Sequence, residues 1–482
     1  MKWTSSKENG YLTIFLALSL TVLLSLCLTL VEGARKNGAR FLAEYALDVG
    51  MNSILAEYHR ELLKQYDVFF IDASYGSSLP ATYKTAEHLQ EYMERNFSCE
   101  DLNLIMSYKD FYGLSIQNIR LGNLAVATDE QGKVFRRQAV QYMYDKYGWT
   151  ALSEVEQWEQ VIKEYNLDSN DVTARRQAVD GQIASLDGSK IQVSKEEWVE
   201  VDIENPADMV NTKRNQGILL LALQDTDNIS NAAFSKSQVA SGRQLFQGQG
   251  PIAERNREET VPELIMFDEY LLEKCSFHSR ELEKSHLKYQ VEYILAGKEN
   301  DLDNLKSVAS RLLLLRESAN VAYLFSDAGK RAEASALAAT VSAVLLLPEL
   351  QVMLEYSILF AWAFAESIYD VRSLFDGGKV PLLKTDSTWH TDIGVLFEEA
   401  DETGGKSNSG LSYEDYLRVL LKMTDTDIKT IRMMDMVELD IRKTSGNQSF
   451  RMDGCMDGMK IEANIVSNRG YAFVLQRDCC YE

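Results

Sequence analysis

The sequence predicts a mainly helical α+β fold preceded by a single membrane-spanning helix, and three observations support this prediction. The 482 residues include only six prolines and 27 glycines, a composition that favours helices over an all-β fold. Residues 11–31 carry no charge. The segment from Lys460 to Tyr481 alternates apolar and polar residues around a turn at residues 467–470, a pattern typical of a β-hairpin.

Length and charge limit the possible classes of protein. The chain can form two or three domains, and its 45% hydrophobic content is enough to build cores. The formal net charge of -22 argues against nucleic acid and anionic lipid headgroups as partners of the bulk domain, because both would be repelled.

The uncharged segment Tyr11–Val31 is predicted to be a transmembrane helix that contacts membrane lipid. About 21 residues at roughly 1.5 Å each span the roughly 30 Å hydrocarbon layer. A cleaved signal peptide is the main alternative, because Lys2 and Lys7 precede the segment and residues 31–33 loosely match a cleavage site. A signal core normally extends over only about 7 to 15 residues, which favours the anchor.

We therefore expect a single-pass protein of the cell membrane, with residues 1–10 as a short leader inside and the bulk of the chain outside. Arg35, Lys36 and Arg40 beyond the apolar segment leave the orientation open on local charge alone. The helical pattern continues past Gly33, so one long helix from about Leu12 to Gln65 is predicted.

Residues 32–150 are predicted to combine the second half of this helix with a small α/β module. Residues 151–262 form a polar connecting region in which the apolar run Ile218–Leu223 docks onto a neighbouring domain. Residues 263–400 form a helical bundle, and residues 401–482 form a C-terminal helix and the β-hairpin. The predicted elements are a strand at Tyr66–Asp72, a helix at Thr82–Asn96, a strand or hairpin at Leu114–Thr128 and a helix at Val134–Tyr147.

Within the bundle, one helix ends near Gly297, a second starts at the Asn300-Asp301 cap, and two more cover Lys330–Leu347 and Leu350–Leu374. The last pair could also be membrane segments, but each apolar run is shorter than a span and Glu355 interrupts the second. A stripe of small residues is predicted to let these helices approach closely, and it comprises Ala332, Ala336, Ala339 and Ala343. Ser412 and Asp415 are predicted to form a capping box.

Catalytic motifs such as a phosphate loop, HExxH or GxSxG are absent from the sequence. Two groups of polar residues are candidate functional sites. His278, Glu281 and His286 are a weak metal candidate on a presumed helix, and a solvated charged face is favoured. Glu366 and Asp370, at i and i+4, could share a proton, but a helix surface with Arg372 nearby is favoured.

Other polar residues are predicted to have structural rather than catalytic roles. Arg311, Arg316 and Glu317 suit polar contacts between bundle helices. Pairing of Cys455 with Cys479 or Cys480 stays open. We therefore predict no catalytic residue, no cofactor and no metal, and we predict that the chain is not an enzyme.

The opening segment KENGYLTIFLALSLTVLLSLCLTLVEGAR, followed by a long amphipathic helix, resembles the amino-terminal part of pseudopilin-like proteins of the tight-adherence (Tad/Flp) pilus system. Most of the remaining chain is similar to an uncharacterised family of Gram-positive envelope proteins whose genes are commonly found near Tad pilus genes. The segments that carry this similarity are residues 135–148, 205–223, 291–301, 361–384 and 410–421.

The resemblance implies a location and partners rather than a reaction: an accessory component of a Tad/Flp-type pilus or secretion apparatus, with pseudopilin proteins as partners. Type IV pilin-like proteins carry a glycine before the cleavage point and a glutamate five residues after it. This chain has Gly10 but Phe15 at the second position, which argues against polymerisation as a major pilin. A membrane-tethered envelope enzyme that uses Glu366 and Asp370, and a stand-alone adhesin, stay open as alternatives.

Overall fold

The computed structural model divides the chain into two compact units. We call them the sheet unit (Met1–Val134, Leu245–Arg257 and Ser449–Glu482) and the helical unit (Phe135–Gln244 and Glu258–Gln448). The structure describes residues 9–77, 80–97, 112–148, 163–164, 171–188, 190–194, 197–200, 203, 205, 207–215, 229–250, 257–283, 285–345, 347–396 and 409–481.

The architecture is mainly helical with a small antiparallel sheet, which confirms the predicted fold class. The helices are α1 (Asn9–Leu55), α2 (Arg60–Tyr66), α3 (Thr82–Phe97), α4 (Asp129–Tyr147), α5 (Asp171–Leu186), α6 (Asp208–Asn215), α7 (Val261–Lys274), α8 (Gln290–Ala296), α9 (Asp301–Ser326), α10 (Ala328–Val344), α11 (Gln351–Phe375), α12 (Tyr413–Lys422) and α13 (Thr426–Arg442). The strands are β1 (Ile71–Asp72), β2 (Leu114–Val126), β3 (Lys190–Ser194), β4 (Glu197–Glu200), β5 (Cys455–Ser467) and β6 (Ala472–Cys480).

The central strand of the sheet unit comes from the C-terminal end of the chain. Strand β5 pairs antiparallel with β2 along one edge, and with β6 and β1 along the other. The predicted hairpin is confirmed, with its turn at Ser467–Gly470. The hairpin therefore belongs to the same unit as α1, whereas the C-terminal helices α12 and α13 belong to the helical unit.

Helix α1 ends at Leu55, so the predicted helix to Gln65 was ten residues too long. Backbone pairing interrupts it, because Tyr58 forms a bridge with Ile71 and the His59 N–H donates to the Phe70 carbonyl at 2.8 Å. The His59 side chain then caps α2 by accepting from the Leu62 N–H. Gly33, Gly38 and Gly50 lie within α1 without ending it.

Other predicted elements of the sheet unit are confirmed with small changes. The helix at Thr82–Asn96 is α3, and the segment Leu114–Thr128 is the single strand β2 rather than a hairpin. The predicted strand Tyr66–Asp72 is shorter than expected: Tyr66 ends α2, Asp67 closes that helix in the left-handed conformation, and the strand comprises only Ile71 and Asp72.

In the helical unit, α9, α10 and α11 form the centre of the predicted bundle. The side chain of Asn300 accepts from the Asp303 N–H and caps α9, as predicted. Helix α11 lies in the core, since 67% of its most apolar window is buried, and this supports a bundle helix over a membrane segment. The capping box of Ser412 and Asp415 is also confirmed.

The predicted alanine stripe on α10 was wrong. The buried residues of α10 are Ala334, Ala338 and Ser342, which are spaced by four and define a different face. Ala332, Ala336 and Ala343 are exposed. Small residues therefore lie on more than one face of α10, so their spacing in the sequence did not identify the buried face.

The predicted connecting region contains short ordered elements, including α5, the β3–β4 hairpin and α6. The apolar run Ile218–Leu223 lies outside the described residues.

Candidate functional site

The first half of α1 is an exposed apolar surface. Every large apolar side chain described between Tyr11 and Val31 is at least 46% exposed. The most apolar part of α1 has a mean hydropathy of 2.6, and none of it is buried by the rest of the described protein. Its hydroxyl groups are satisfied inside the helix, as Thr21 donates to the Ala17 carbonyl at 2.8 Å and Thr29 to the Leu26 carbonyl at 2.8 Å. This helix is long and apolar enough to cross a membrane.

The second half of α1 has the opposite character and packs against the sheet. Ala39, Ala43, Ala46 and Leu47 are fully buried in a cluster with the inward-facing residues of β5, such as Ile461. Small side chains let the helix backbone approach the sheet closely. On the outward side of this half, Phe41 and Tyr45 are 70% and 53% exposed. One helix therefore offers an apolar projecting half and a packed half.

The structure contradicts the assignment of Glu366 and Asp370 to a helix surface with Arg372. Both carboxylates are fully buried on α11, and their partners are Lys384 and Arg316. We call these four residues the buried charge cluster. Neither cation is a sequence neighbour of the carboxylates, which is why the helical pattern alone could not show the pairing.

Lys384 holds the two carboxylates together. Its Nζ lies 2.5 Å from Oε1 of Glu366 and 2.7 Å from Oδ1 of Asp370. Arg316 on α9 approaches from the other side, with Nε 3.0 Å from Oδ2 of Asp370. The Arg316 Nη1 also donates to the Leu382 carbonyl at 2.8 Å. The cluster thus joins α9, α11 and the segment that follows α11, and its formal charges sum to zero.

His390 closes the cluster on its more exposed side. Its side chain is 31% exposed, and its ring stacks on Tyr369 with centroids 4.5 Å apart. The backbone N–H of His390 donates to Glu366 at 3.1 Å, and the N–H of Thr391 does so at 2.9 Å. Glu366 therefore accepts from two backbone groups as well as from Lys384.

These contacts fix the ionisation of Glu366. Burial by itself would raise the pKa of this carboxyl, but hydrogen bonding with His390, the charge of Lys384 and the Thr391 N–H outweigh it and hold the pKa at about 2. A general acid must keep its proton near the working pH. Glu366 is therefore held as a carboxylate, which suits an ion pair better than proton transfer.

Glu366, Asp370 and His390 also place their ligand atoms within 4.8 Å of one another, a spacing that could hold a metal ion. The ammonium group of Lys384 already contacts both carboxylates, so the protein supplies its own cation at this position. The donor set is therefore satisfied without a metal.

The three residues of the candidate metal site contact different partners. His278, Glu281 and His286 lie in the loop between α7 and α8 rather than on a helix. His278 packs against Tyr289, Phe375 and Tyr413, whereas Glu281 pairs with Lys288 at 3.0 Å. The N–H of His286 donates to Asp440 at 2.6 Å. These contacts favour structural roles.

Sequence reasoning missed Glu292, which is fully buried on α8. Its Oε1 accepts from the His278 N–H at 2.9 Å and from the Tyr413 hydroxyl at 2.7 Å. Burial raises the pKa of Glu292 to about 7 despite these hydrogen bonds. The apolar residues on both sides of Glu292 in VEYILA were the available signal for its burial.

The remaining candidates have structural roles. Arg316 pairs with Asp370 of α11 and Arg311 donates to the Leu295 carbonyl of α8 at 3.5 Å, as the bundle prediction requires. Glu317 instead pairs with Arg214 of α6, in the predicted connecting region, at 2.7 Å. Cys455, Cys479 and Cys480 are free thiols, so the open disulfide pairing is not formed.

Comparison with known protein families identifies the chain. A family model matches residues 196–467, which is more than half of the 482 residues. The chain belongs to DUF5702, a family of unknown function. No curated protein and no solved structure matches the chain.

The DUF5702 match covers the buried charge cluster, Glu292 and the whole of strand β5. It does not extend to α1. The apolar surface of residues 11–31 therefore rests on the sequence and structure of this chain alone.

Proposed function

We propose that this DUF5702 chain is a non-enzymatic, membrane-anchored and pseudopilin-like accessory component of a Tad/Flp-type pilus or secretion apparatus. The observation that carries the proposal is the division of α1, whose residues 11–31 are exposed and apolar whereas Ala39, Ala43 and Ala46 are buried against the sheet. A helix of this kind anchors a folded unit to a bilayer through one half and supports the unit through the other.

In this proposal, residues 11–31 cross the cell membrane once, residues 1–10 stay inside, and the bulk of the chain is extracellular. The uncharged length of the segment and its internally bonded hydroxyl groups suit a hydrocarbon environment. Mass spectrometry of the mature N terminus distinguishes an intact anchor from cleavage after Gly10 or release after Gly33. Release after Gly33 would contradict the anchor.

The outward side of α1 supports an interaction role. Phe41 and Tyr45 continue the exposed apolar surface beyond the membrane segment. Exposed aromatic side chains of this kind are suited to bind an apolar helix of a partner. Pilus or pseudopilin proteins are the partners that the N-terminal resemblance implies.

The buried charge cluster supports a non-enzymatic role. Its carboxylates contact Lys384 and Arg316, and the low pKa of Glu366 makes it a poor proton donor. The alternatives are a membrane-tethered envelope enzyme with a carboxylate site and a stand-alone adhesin. Turnover of an envelope substrate that is lost in Asp370→Asn but kept in the exposed variant Glu333→Gln would favour the enzyme.

Crosslinking and purification of the tagged chain from its native membrane test the proposal. We expect pilus-assembly proteins to co-purify, and we expect their loss when residues 11–31 are deleted. Phe41→Glu should reduce their recovery while leaving membrane attachment intact, because Phe41 is exposed outside the anchor. Tyr83→Glu on α3 is the matched control, since Tyr83 is 62% exposed and lies off α1.

Recovery of the chain from native membranes without any pilus-assembly protein would overturn the accessory role. Equal loss of partners in Phe41→Glu and Tyr83→Glu would overturn the assigned surface.

A further inference from the structure

The turn between α10 and α11 is an exposed apolar end of a helical hairpin. We call residues 340–345 and 347–352 the hairpin tip. Val344 and Val352 are 78% and 58% exposed, and Ala343 is exposed as well. No charged residue occurs from Ala334 to Pro348, in a chain that is 25% charged. The exposed residues of this run therefore carry no charge, although the protein is acidic overall.

The polar groups of the hairpin tip are bonded within the hairpin. The hydroxyl of Thr340 donates to the Ala336 carbonyl at 2.9 Å, and that of Ser342 donates to the Ala339 carbonyl at 3.1 Å. Backbone N–H groups in the turn are also paired, because Leu345 donates to Val341 at 3.1 Å and Leu347 to Ser342 at 3.0 Å. Internal pairing of this kind is what entry into an apolar medium requires.

Pairing in the turn continues to the start of α11. The N–H of Leu350 donates to the Leu347 carbonyl at 3.1 Å. Pro348 has no N–H that would need a partner. Glu349 is the one exposed charge among the described residues of the tip, and it lies at the end of the uncharged run.

We propose that the hairpin tip inserts into the interfacial layer of a lipid bilayer, as a second membrane contact of this chain. The inference rests on the proposed anchoring by residues 11–31, which brings the chain to a bilayer and raises the local concentration of lipid. Exposed aliphatic side chains bind the boundary between headgroups and acyl chains in proportion to the apolar area they bury.

The composition of the tip favours lipid over a protein partner. Protein interfaces draw most of their binding energy from Trp, Tyr and Arg, and residues 340–352 contain none of these. Glu349 and the net charge of -22 predict a preference for zwitterionic over anionic lipid, because anionic headgroups repel them.

Depth-dependent quenching in nanodiscs tests the proposal. The full-length chain is reconstituted in phosphatidylcholine nanodiscs after Cys27, Cys99 and Cys480 are replaced by Ser. An environment-sensitive fluorophore is then attached to Val344→Cys. The matched control is Ala332→Cys, which is exposed on the same helix about 18 Å away. A second preparation keeps Cys27 as the sole labelled site and reports on the anchor.

We expect the probe at residue 344 to shift its emission to the blue and to be quenched by lipids with a nitroxide on the acyl chain, whereas the probe at residue 332 is not. Val352→Asp should weaken this insertion by about tenfold, since it removes the burial of one valine side chain and adds a charge. Replacing part of the phosphatidylcholine with phosphatidylglycerol should also weaken it.

Quenching at Cys27 together with equal, unquenched emission at residues 332 and 344 would overturn the tip contact and leave the anchor in place. Blue-shifted but unquenched emission at residue 344 would show that protein, not lipid, covers the tip, and would overturn the proposal. Absence of quenching at Cys27 would overturn both the anchor and the tip.

Discussion

Two buried carboxylate sites, one in each unit, are satisfied in different ways. In the sheet unit, Asp129 accepts three backbone N–H groups, from Val126 at 2.9 Å, Gly248 at 2.8 Å and Gly250 at 3.0 Å. In the helical unit, Glu366 accepts two backbone N–H groups but also pairs with Lys384, and Asp370 pairs with the side chains of Lys384 and Arg316. A backbone N–H is lost only on substitution by proline, whereas a side-chain cation is lost on substitution by any uncharged residue. The buried charge cluster should therefore be more sensitive to single substitutions than the site of Asp129.

The contrast extends to the cores as a whole. The cluster beneath α1 is built from apolar side chains such as Leu47, Ile461 and Leu475. The core of the helical unit contains further ion pairs, since Lys429 pairs with Asp268, and Glu438 pairs with Arg243 at 2.6 Å. Removing ions from water costs free energy that only well-placed partners offset. The presence of such pairs is therefore weak evidence for stability, whereas removal of one partner is strongly destabilising.

The largest expected effect comes from Lys384→Met, which leaves both carboxylates buried with Arg316 as their remaining cation. Loss of one partner from a buried pair costs about 3–5 kcal/mol. Urea denaturation of the nanodisc-bound chain, followed by hydrogen exchange in peptides from α11, measures the free energy of unfolding of the helical unit. Arg175→Met is the control, because Arg175 and Asp171 form an exposed pair. Equal effects of the two substitutions would contradict the distinction.

A second prediction uses the pH dependence of Glu292. Its folded-state pKa of about 7 exceeds the ordinary value of 4.5, so its stabilising contribution is full below pH 4.5 and is lost as the pH rises to about 7. Glu292→Gln should remove this loss, which amounts to about 3 kcal/mol. The variant should therefore lose less stability than the parent chain between pH 5 and pH 8.

Urea denaturation of both chains at the two pH values measures the difference. Asp268 and Asp435, whose pKa values burial raises to about 6, titrate in the same direction in both chains and cancel in the comparison. Parallel pH profiles for the parent and Glu292→Gln would show that Glu292 is not the group that titrates.

The stability of the sheet unit should depend on the volume of the side chains in its apolar core rather than on buried charges. Ala43→Leu adds three carbon atoms to a fully buried site against the sheet and should cost about 1–3 kcal/mol. Ala34→Leu is the matched control, since Ala34 is exposed on the same helix. Hydrogen exchange in peptides from β5 reports on both variants, and a cost for Ala34→Leu equal to that for Ala43→Leu would contradict the packing assigned to α1.

Sequence patterns correctly predicted those structural features that are specified by residues close together in the chain. The uncharged run at residues 11–31, the cap at Asn300 and the hairpin at residues 460–481 were all readable, because each is specified within a few residues. The burial of Glu366 and Asp370 was not, because Lys384 and Arg316 lie 14 or more residues away in the sequence. The apolar run AWAFA before Glu366 indicated a buried face, but the pattern could not identify the cations.

The same limit explains the helix-end error and the missed sheet topology. Leu55 ends α1 because Tyr58 pairs with Ile71, a contact that helical periodicity does not encode. Strand β5 pairs with β2 across more than 300 residues, so the sequence indicated a hairpin but not its place at the centre of the sheet.

The smallest effect is expected for the exposed pair of Arg40 and Glu44 on α1, which lies 2.9 Å apart with side chains 63% and 30% exposed. Water screens this pair, so Glu44→Gln should change the free energy of unfolding of the sheet unit by only about 0.3–0.5 kcal/mol. A double-mutant cycle with Arg40→Gln isolates the interaction. A coupling as large as the loss in Lys384→Met would mean that ion pairs contribute equally at the surface and in the core. The sensitivity of the buried charge cluster could then not be attributed to the burial of its charges.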